Sequence, residues 1–147
     1  CLLAAESLAY VDGCLYHYRN NAQSMTAAFD PHLTETIFIP LDILRTYFDT
    51  DKRALFAQYQ MYAAYLLQLW VRNQASLDCD LDRKGLRQSC ARVCQNQELR
   101  ALLASVPGAL PRQVAVAVRA VQQQKPGQLY LLIKAWNLYY KLRNGRA

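Results

Sequence analysis

The 147-residue sequence is poor in the residues that interrupt regular structure, with five glycines and five prolines. That scarcity excludes a collagen-like repeat, a Pro/Gly-rich disordered chain and a loop-rich disulfide scaffold. Long apolar runs are also missing. The nearest, from Met61 to Leu67, is broken by Gln68 and ends at Val71, well short of the ~20 apolar residues that span a bilayer as a helix. No glycine-rich phosphate loop and no Gly-x-Ser-x-Gly turn occurs. The two histidines, His17 and His32, leave nucleophilic catalysis little to work with, and His32 beside a helix start reads as a surface residue. Acidic residues stop altogether after Glu98.

What is present is apolar and aromatic. Hydrophobic residues make up 53%, and ten tyrosines, four phenylalanines and two tryptophans are generous for this length. The chain is long enough for one domain with a real core, and short for two. Its five cysteines are odd in number and irregularly spaced, which suits reduced thiols in the cytoplasm rather than a disulfide framework. Cys90 and Cys94 share a helical face; they read as two small buried hydrophobes in preference to a metal pair. The first residue is Cys1, and no basic stretch precedes Leu2–Ala5. A piece of a longer protein is therefore expected rather than a secreted chain with its leader.

The charge is divided. Residues 1–98 carry eleven acids against nine Lys/Arg, a net −2, whereas residues 99–147 carry eight Lys/Arg and no acid, a net +8. A segment of that kind seeks phosphate on a membrane, a nucleic acid or an acidic partner, unless it is simply a solvated basic face.

Periodicity predicts a mainly α fold: an irregular bundle of about five to six helices with a short N-terminal β-hairpin. Asp12-Gly13 between Leu8–Val11 and Cys14–Tyr18 is the hairpin turn signal. After a polar loop at 20–24, Asp30-Pro31 offers a helix start, and Leu33, Ile37, Leu41, Leu44 and Phe48 line one face of a helix that Pro40 should kink. A long helix follows from near Asp51 to Gln74, with Leu55, Tyr59, Tyr62, Leu66 and Leu69 as its stripe and Phe56, Ala63 and Trp70 widening it. Asp78–Asp82 forms a linker and cap. Shorter helices follow around Leu86–Val93 and Leu99–Leu103. Pro107-Gly108 breaks the chain. Val114–Val121 fits helix better than strand because of its alanines and the glutamines that follow. Lys125-Pro126-Gly127 breaks it again before a last helix with Leu129, Leu132, Ile133, Trp136 and Tyr140 on one side.

The stretch Ala9-Tyr10-Val11-Asp12-Gly13-Cys14-Leu15-Tyr16-His17-Tyr18-Arg19, with Ser24-Met25-Thr26 after a polar loop, resembles the end of the catalytic domain of family 2 glycosyltransferases. The likeness covers 20 to 30 residues. It implies that residues 1–29 are the remnant of that catalytic domain and that residues 30–147 form the helical C-terminal domain. It further implies transfer of a sugar from a nucleotide diphosphate donor to a glycan or lipid-linked acceptor, with a divalent metal, Mg or Mn, on the diphosphate. Tyr16, His17, Tyr18, Arg19 and Ser24 would form a flap over the donor, Arg19 offering its planar fork to phosphate oxygens. The metal-binding Asp-x-Asp and the catalytic base of such enzymes precede this motif, in an N-terminal α/β domain this chain lacks. On its own the chain has no cofactor site and is expected to be inactive. Without the resemblance, Tyr16 and Tyr18 would be a cross-strand aromatic pair on a plain hairpin.

Asp78-Cys79-Asp80 and Asp80-Leu81-Asp82 also spell Asp-x-Asp, but follow a long helix instead of a buried strand, and a helix cap explains them. The last helix joins leucines and aromatics to cations without one acid. Lys134, Trp136, Lys141 and Arg143 are the residues expected at an anionic membrane surface, which would put the protein in the cytoplasm, peripheral on the inner face of the cell membrane. A core helix packed on Tyr59–Trp70 is the competing reading. As a whole-protein alternative, a stand-alone helical module could use the basic third on nucleic acid or an acidic partner. Nucleic acid is the weaker option, since only Arg112 and Arg119 share a spacing that suits it.

Overall fold

The computed structural model describes residues 29–45 and 53–144. The expected hairpin falls outside them. The described residues are mainly helical, in seven helices: α1 (Leu33–Thr36), α2 (Ile39–Arg45), α3 (Arg53–Gln74), α4 (Arg83–Gln95), α5 (Gln97–Leu103), α6 (Arg112–Gln122) and α7 (Pro126–Asn144). The long α3 runs through the bundle, touching α1, α5, α6 and α7; α7 lies across α4 and α6, and α2 leans on α5.

The count exceeds the sequence expectation because Pro40 does more than kink one helix. A proline ring clashes with the carbonyl four residues back and has no N–H to donate, so the chain leaves the helix after Thr36 and restarts at Ile39. Pro40 then occupies the first turn of α2, where the missing N–H has no intrahelical partner to lose.

The break expected at Lys125-Pro126-Gly127 is tighter than its sequence suggests. Gln124 takes a left-handed conformation (φ 51°). Lys125 N–H bonds Ala120 C=O at 2.8 Å and Gln124 N–H bonds Val121 C=O at 3.1 Å, the two bonds of a Schellman stop. Pro126 and Gly127 already belong to α7, with proline at its first position.

The core is assembled from helix faces. Trp70 is fully buried, with Leu67, Leu99, Leu103, Val121, Leu129 and Ile133 also among the fully buried side chains. The Trp70 indole N–H donates to Thr34 Oγ1 at 3.0 Å, which ties α1 to the middle of the bundle. Tyr59, Leu66 and Ala63 of the expected α3 stripe are buried, but Phe56 is exposed. The inward face instead includes Leu67, Val71 and the amides Gln60 and Gln74.

Helix ends hold the bundle together through long-range side-chain bonds. The last carbonyls of a helix lack intrahelical donors. Gln60 Nε2 donates to Leu102 O (3.1 Å), at the end of α5, and to Ser105 Oγ (2.9 Å). Gln122 Nε2 reaches Leu103 O. Asn137 Nδ2 donates to both Ala75 O and Ser76 O at 3.2 Å, fastening α7 over the end of α3. Asn96 serves two helices, closing α4 and capping α5 through its Oδ1 on Leu99 N–H at 2.9 Å.

The Asp-x-Asp look-alikes resolve in the same way. Asp82 is the N-cap of α4, its Oδ1 accepting from Gly85 N–H at 2.6 Å. Asp82→Ala is expected to lower unfolding stability by about 1 kcal/mol, while Asp80→Ala, which removes no cap, stays within about 0.5 kcal/mol. Urea unfolding of both variants measures this, and equal losses would contradict the assignment.

Candidate functional site

The donor-flap residues Tyr16, His17, Tyr18, Arg19 and Ser24 lie outside the described residues. The residues expected at an anionic surface all lie on α7, and the structure sorts them. The inner face of α7 buries Leu129 and Ile133, and Leu132, Trp136 and Tyr140 pack half-buried against the same core. Trp136 meets Tyr140 edge to face, ring centres 6.3 Å apart. Trp136 is therefore on the core side, and the competing reading of α7 as a core helix describes this half of it.

The other half faces out. Leu131 is 66% exposed, and Leu138, Tyr139 and Leu142 are each 57% exposed. Leu131, Ala135, Leu138 and Leu142 are spaced four, three and four apart, so they form one continuous apolar stripe along the helix. Lys134, Lys141 and Arg143 are exposed beside it. The sequence pattern places leucines and cations together on this helix, and the four-three-four spacing is the signal, not drawn on there, that separates the outer stripe from the core face. No described helix is long and apolar enough to cross a membrane.

One flank of α7 gathers cations from two helices. The Arg87 guanidinium of α4 lies 5.3 Å from the ring centre of Tyr130, and the Lys134 ammonium lies 5.8 Å from the same centre. The two ion pairs among the described residues are elsewhere: Arg45–Glu98 at 2.9 Å, linking α2 to α5, and Arg92–Glu35 at 3.3 Å, linking α4 to α1. Arg45, Arg92 and Glu35 are exposed and Glu98 is half-buried, and such surface pairs are worth at most about 1 kcal/mol each. The arginines suited to nucleic acid, Arg112 and Arg119, are exposed on α6, on a different element from the α7 cations.

The rest of the molecule offers little chemistry. An open hollow of about 460 Å³ is lined by Gln97, Arg100, Ala101, Ala104 and Gln122, with no acid, base or nucleophile pair among them. Among the described residues no three of His, Cys, Asp and Glu gather as a metal-holding group. Cys90 and Cys94 are buried in the core. Burial pushes the Cys90 thiol up to about 12, with Cys94 adding to the shift. Burial likewise raises Cys94 to about 11 against a smaller pull from the Arg100 charge. Both therefore stay protonated and act as apolar side chains at neutral pH. Cys79, half-buried in the loop before α4, is also raised, first by burial; Asp80 adds to this and the Lys134 charge opposes it.

No family model, curated protein or solved structure matches this chain.

The two buried thiols make stability depend on alkaline pH. Their folded pKa values stand above the unfolded value near 9, so their contribution is whole below that pH and is lost as pH rises above it. Between pH 9 and 10, below the range where the phenol of Tyr59 (raised to about 12 by burial, then by the charges of Glu98 and Asp42) begins to matter, stability is expected to fall. The slope is up to about 1.4 kcal/mol per pH unit for each thiol. Cys90→Ala should reduce the slope in pH-dependent urea unfolding; an unchanged slope would contradict the account.

Proposed function

We propose that this chain is the helical C-terminal part of a family 2-like glycosyltransferase and that the outer face of α7 rests on an anionic membrane surface. The observation that carries the surface reading is the stripe Leu131, Leu138 and Leu142, exposed on a bundle that has already buried the opposite face of the same helix. Seating each of these leucines among lipid headgroups would contribute about 1–2 kcal/mol, given how much of each is still exposed. Each flanking cation adds about 1 kcal/mol near anionic lipid. An interfacial helix of this kind lies in the plane of the surface and leaves the bundle intact.

Charge selects this occupant over a second copy of the chain. A helix pair zipped through the Leu131–Leu142 stripe would bring Lys134 and Lys141 alongside its own like charges, with no acid on α7 to receive them. A surface of phosphate headgroups receives them directly.

The sugar-transfer part of the proposal rests on the likeness carried by residues 9–19 and 24–26. In that reading the missing α/β domain binds the nucleotide sugar and its divalent metal, and the helical domain keeps it beside a membrane where lipid-linked acceptors are presented. The chain alone transfers no sugar.

Two experiments test the two parts. The 147-residue chain is expected to sediment with vesicles of phosphatidylcholine and phosphatidylglycerol, less so as salt rises. Leu138→Glu is expected to weaken binding by about tenfold or more, from the lost leucine and the added like charge, with the melting temperature unchanged because Leu138 is exposed. Equal binding by the variant, or preference for nucleic acid over vesicles, would overturn the surface reading. For the enzyme, the product captured from its source cells is expected to be much heavier than 16.8 kDa and to contain an Asp-x-Asp after an apolar strand upstream of Leu2. A product of about this mass beginning near Cys1 would remove the sugar-transfer reading.

A further inference from the structure

We infer that Arg87, Tyr130 and Lys134 form a binding position for a dianionic phosphate monoester, presented by a lipid headgroup at the surface on which α7 rests. The inference deepens the surface reading and depends on it for the lipid source, but its chemistry comes from a separate observation. Two cations from different helices converge on one half-buried ring, the guanidinium at 5.3 Å and the ammonium at 5.8 Å from its centre. Neither belongs to the ion pairs found among the described residues. The ring attracts each cation separately, and an anion that met both would add to that attraction.

The ring explains why the pair is suited to binding. Arg and Lys lose side-chain freedom when they are fixed on a ligand, a cost that lowers affinity. Contact with the Tyr130 ring already confines both side chains, so less freedom is left to lose. Tyr130 itself is held half-buried against the core. The two cations are also complementary in kind: the arginine fork addresses two phosphate oxygens at once, whereas the lysine supplies a compact charge.

Two converging positive charges favour a group that carries close to two negative ones. A phosphate monoester has a charge of about −1.5 to −2 at neutral pH, while a diester headgroup carries one. The cluster should therefore discriminate between phosphatidic acid and phosphatidylglycerol, which the leucine stripe and scattered cations do not. Tyr130 and Lys134 precede and follow Leu131 on the same helix, so a headgroup held here sits level with the stripe. Asp80, whose charge opposes that of Lys134 at Cys79, belongs to neither ion pair.

The test compares vesicles of phosphatidylcholine mixed with phosphatidic acid or with phosphatidylglycerol, the fractions set to give equal zeta potential. The 147-residue chain is expected to bind the phosphatidic acid vesicles about fivefold more tightly, the effect of one extra cation–phosphate contact. Arg87→Gln and Lys134→Gln should each bring that ratio to near one. Lys141→Gln, which removes a cation of the same helix outside the cluster, should weaken binding to both vesicles and keep the ratio. All three side chains are exposed, so folding is preserved and a thermal melt confirms it. A second arm titrates soluble glycerol 3-phosphate while following the Tyr130 ring signals by NMR. Shifts there with no vesicle binding would support the phosphate position and overturn its lipid source and the surface reading with it. Vesicle binding with a ratio of one and no ring shift would overturn this inference and leave the surface reading standing. A ratio lost equally in Lys141→Gln would overturn it too, by assigning the preference to charge number alone.

Discussion

A nineteen-residue helix that is apolar around more than half of its girth can press only one face against a bundle, and α7 is such a helix. Its inner face, with Leu129 and Ile133 fully buried, is what closes the core over α4 and α6. The Asn137 amide fixes its rotation by bonding the Ala75 and Ser76 carbonyls just past the end of α3, and the Schellman stop before Pro126 fixes its starting point. With rotation and origin both set, the remaining leucines have one place to be, which is outside. The exposed stripe is thus a consequence of how the core is closed, and so is the row of cations that borders it.

The same constraint accounts for the division of charge along the chain. The helices that bring acids are α1, α2 and α5, with Glu35, Asp42 and Glu98; α1 and α5 touch α3, and α2 touches α5. Arg45–Glu98 and Arg92–Glu35 join neighbouring helices. The C-terminal third brings no acid, and among the described residues none of its cations joins an ion pair. The exposed cations of α7 are left for a partner outside the bundle. A body that is electrically mixed and an outer helix that is purely cationic give the protein one oriented way to meet an anionic surface, with steering that reaches about a Debye length.

The fold was legible in the sequence wherever a long periodic run met a clear stop. The α3 stripe and the α4 and α5 leucines came from spacing, the helical reading of Val114–Val121 from the alanines and glutamines around its valines, and the Asp82 cap from residue type and position. Two features were harder. Whether Pro40 kinks or severs a helix depends on what the flanking turns pack against: Trp70 holding Thr34 on one side and Tyr59 holding the Leu41 carbonyl on the other. Such bonds, with partners at separations of 36 and 18 residues, leave no trace in local pattern. The Gln124 stop was similarly hidden, since the left-handed position that usually calls for glycine is filled by glutamine.

The candidate site was half legible for a related reason. Composition located the cations, because an acid-free segment is visible at a glance. It left the place of Trp136 open between surface and core, because an amphipathic ring suits a lipid interface as well as it suits the core against which Trp136 packs half-buried. The convergence of Arg87 on Tyr130 joins residues far apart in sequence and could only be seen once α4 and α7 crossed. The central claim, that the outer face of α7 seats in a lipid surface, is tested most directly by spin labels placed one at a time at residues 131, 135, 138 and 142, with a reference label at Asp42 on α2. On adding anionic vesicles, the four α7 labels are expected to become shielded from a water-soluble relaxation agent while the label at residue 42 stays accessible. Labels at 131, 138 and 142 that remain as accessible as the one at 42 would contradict the account.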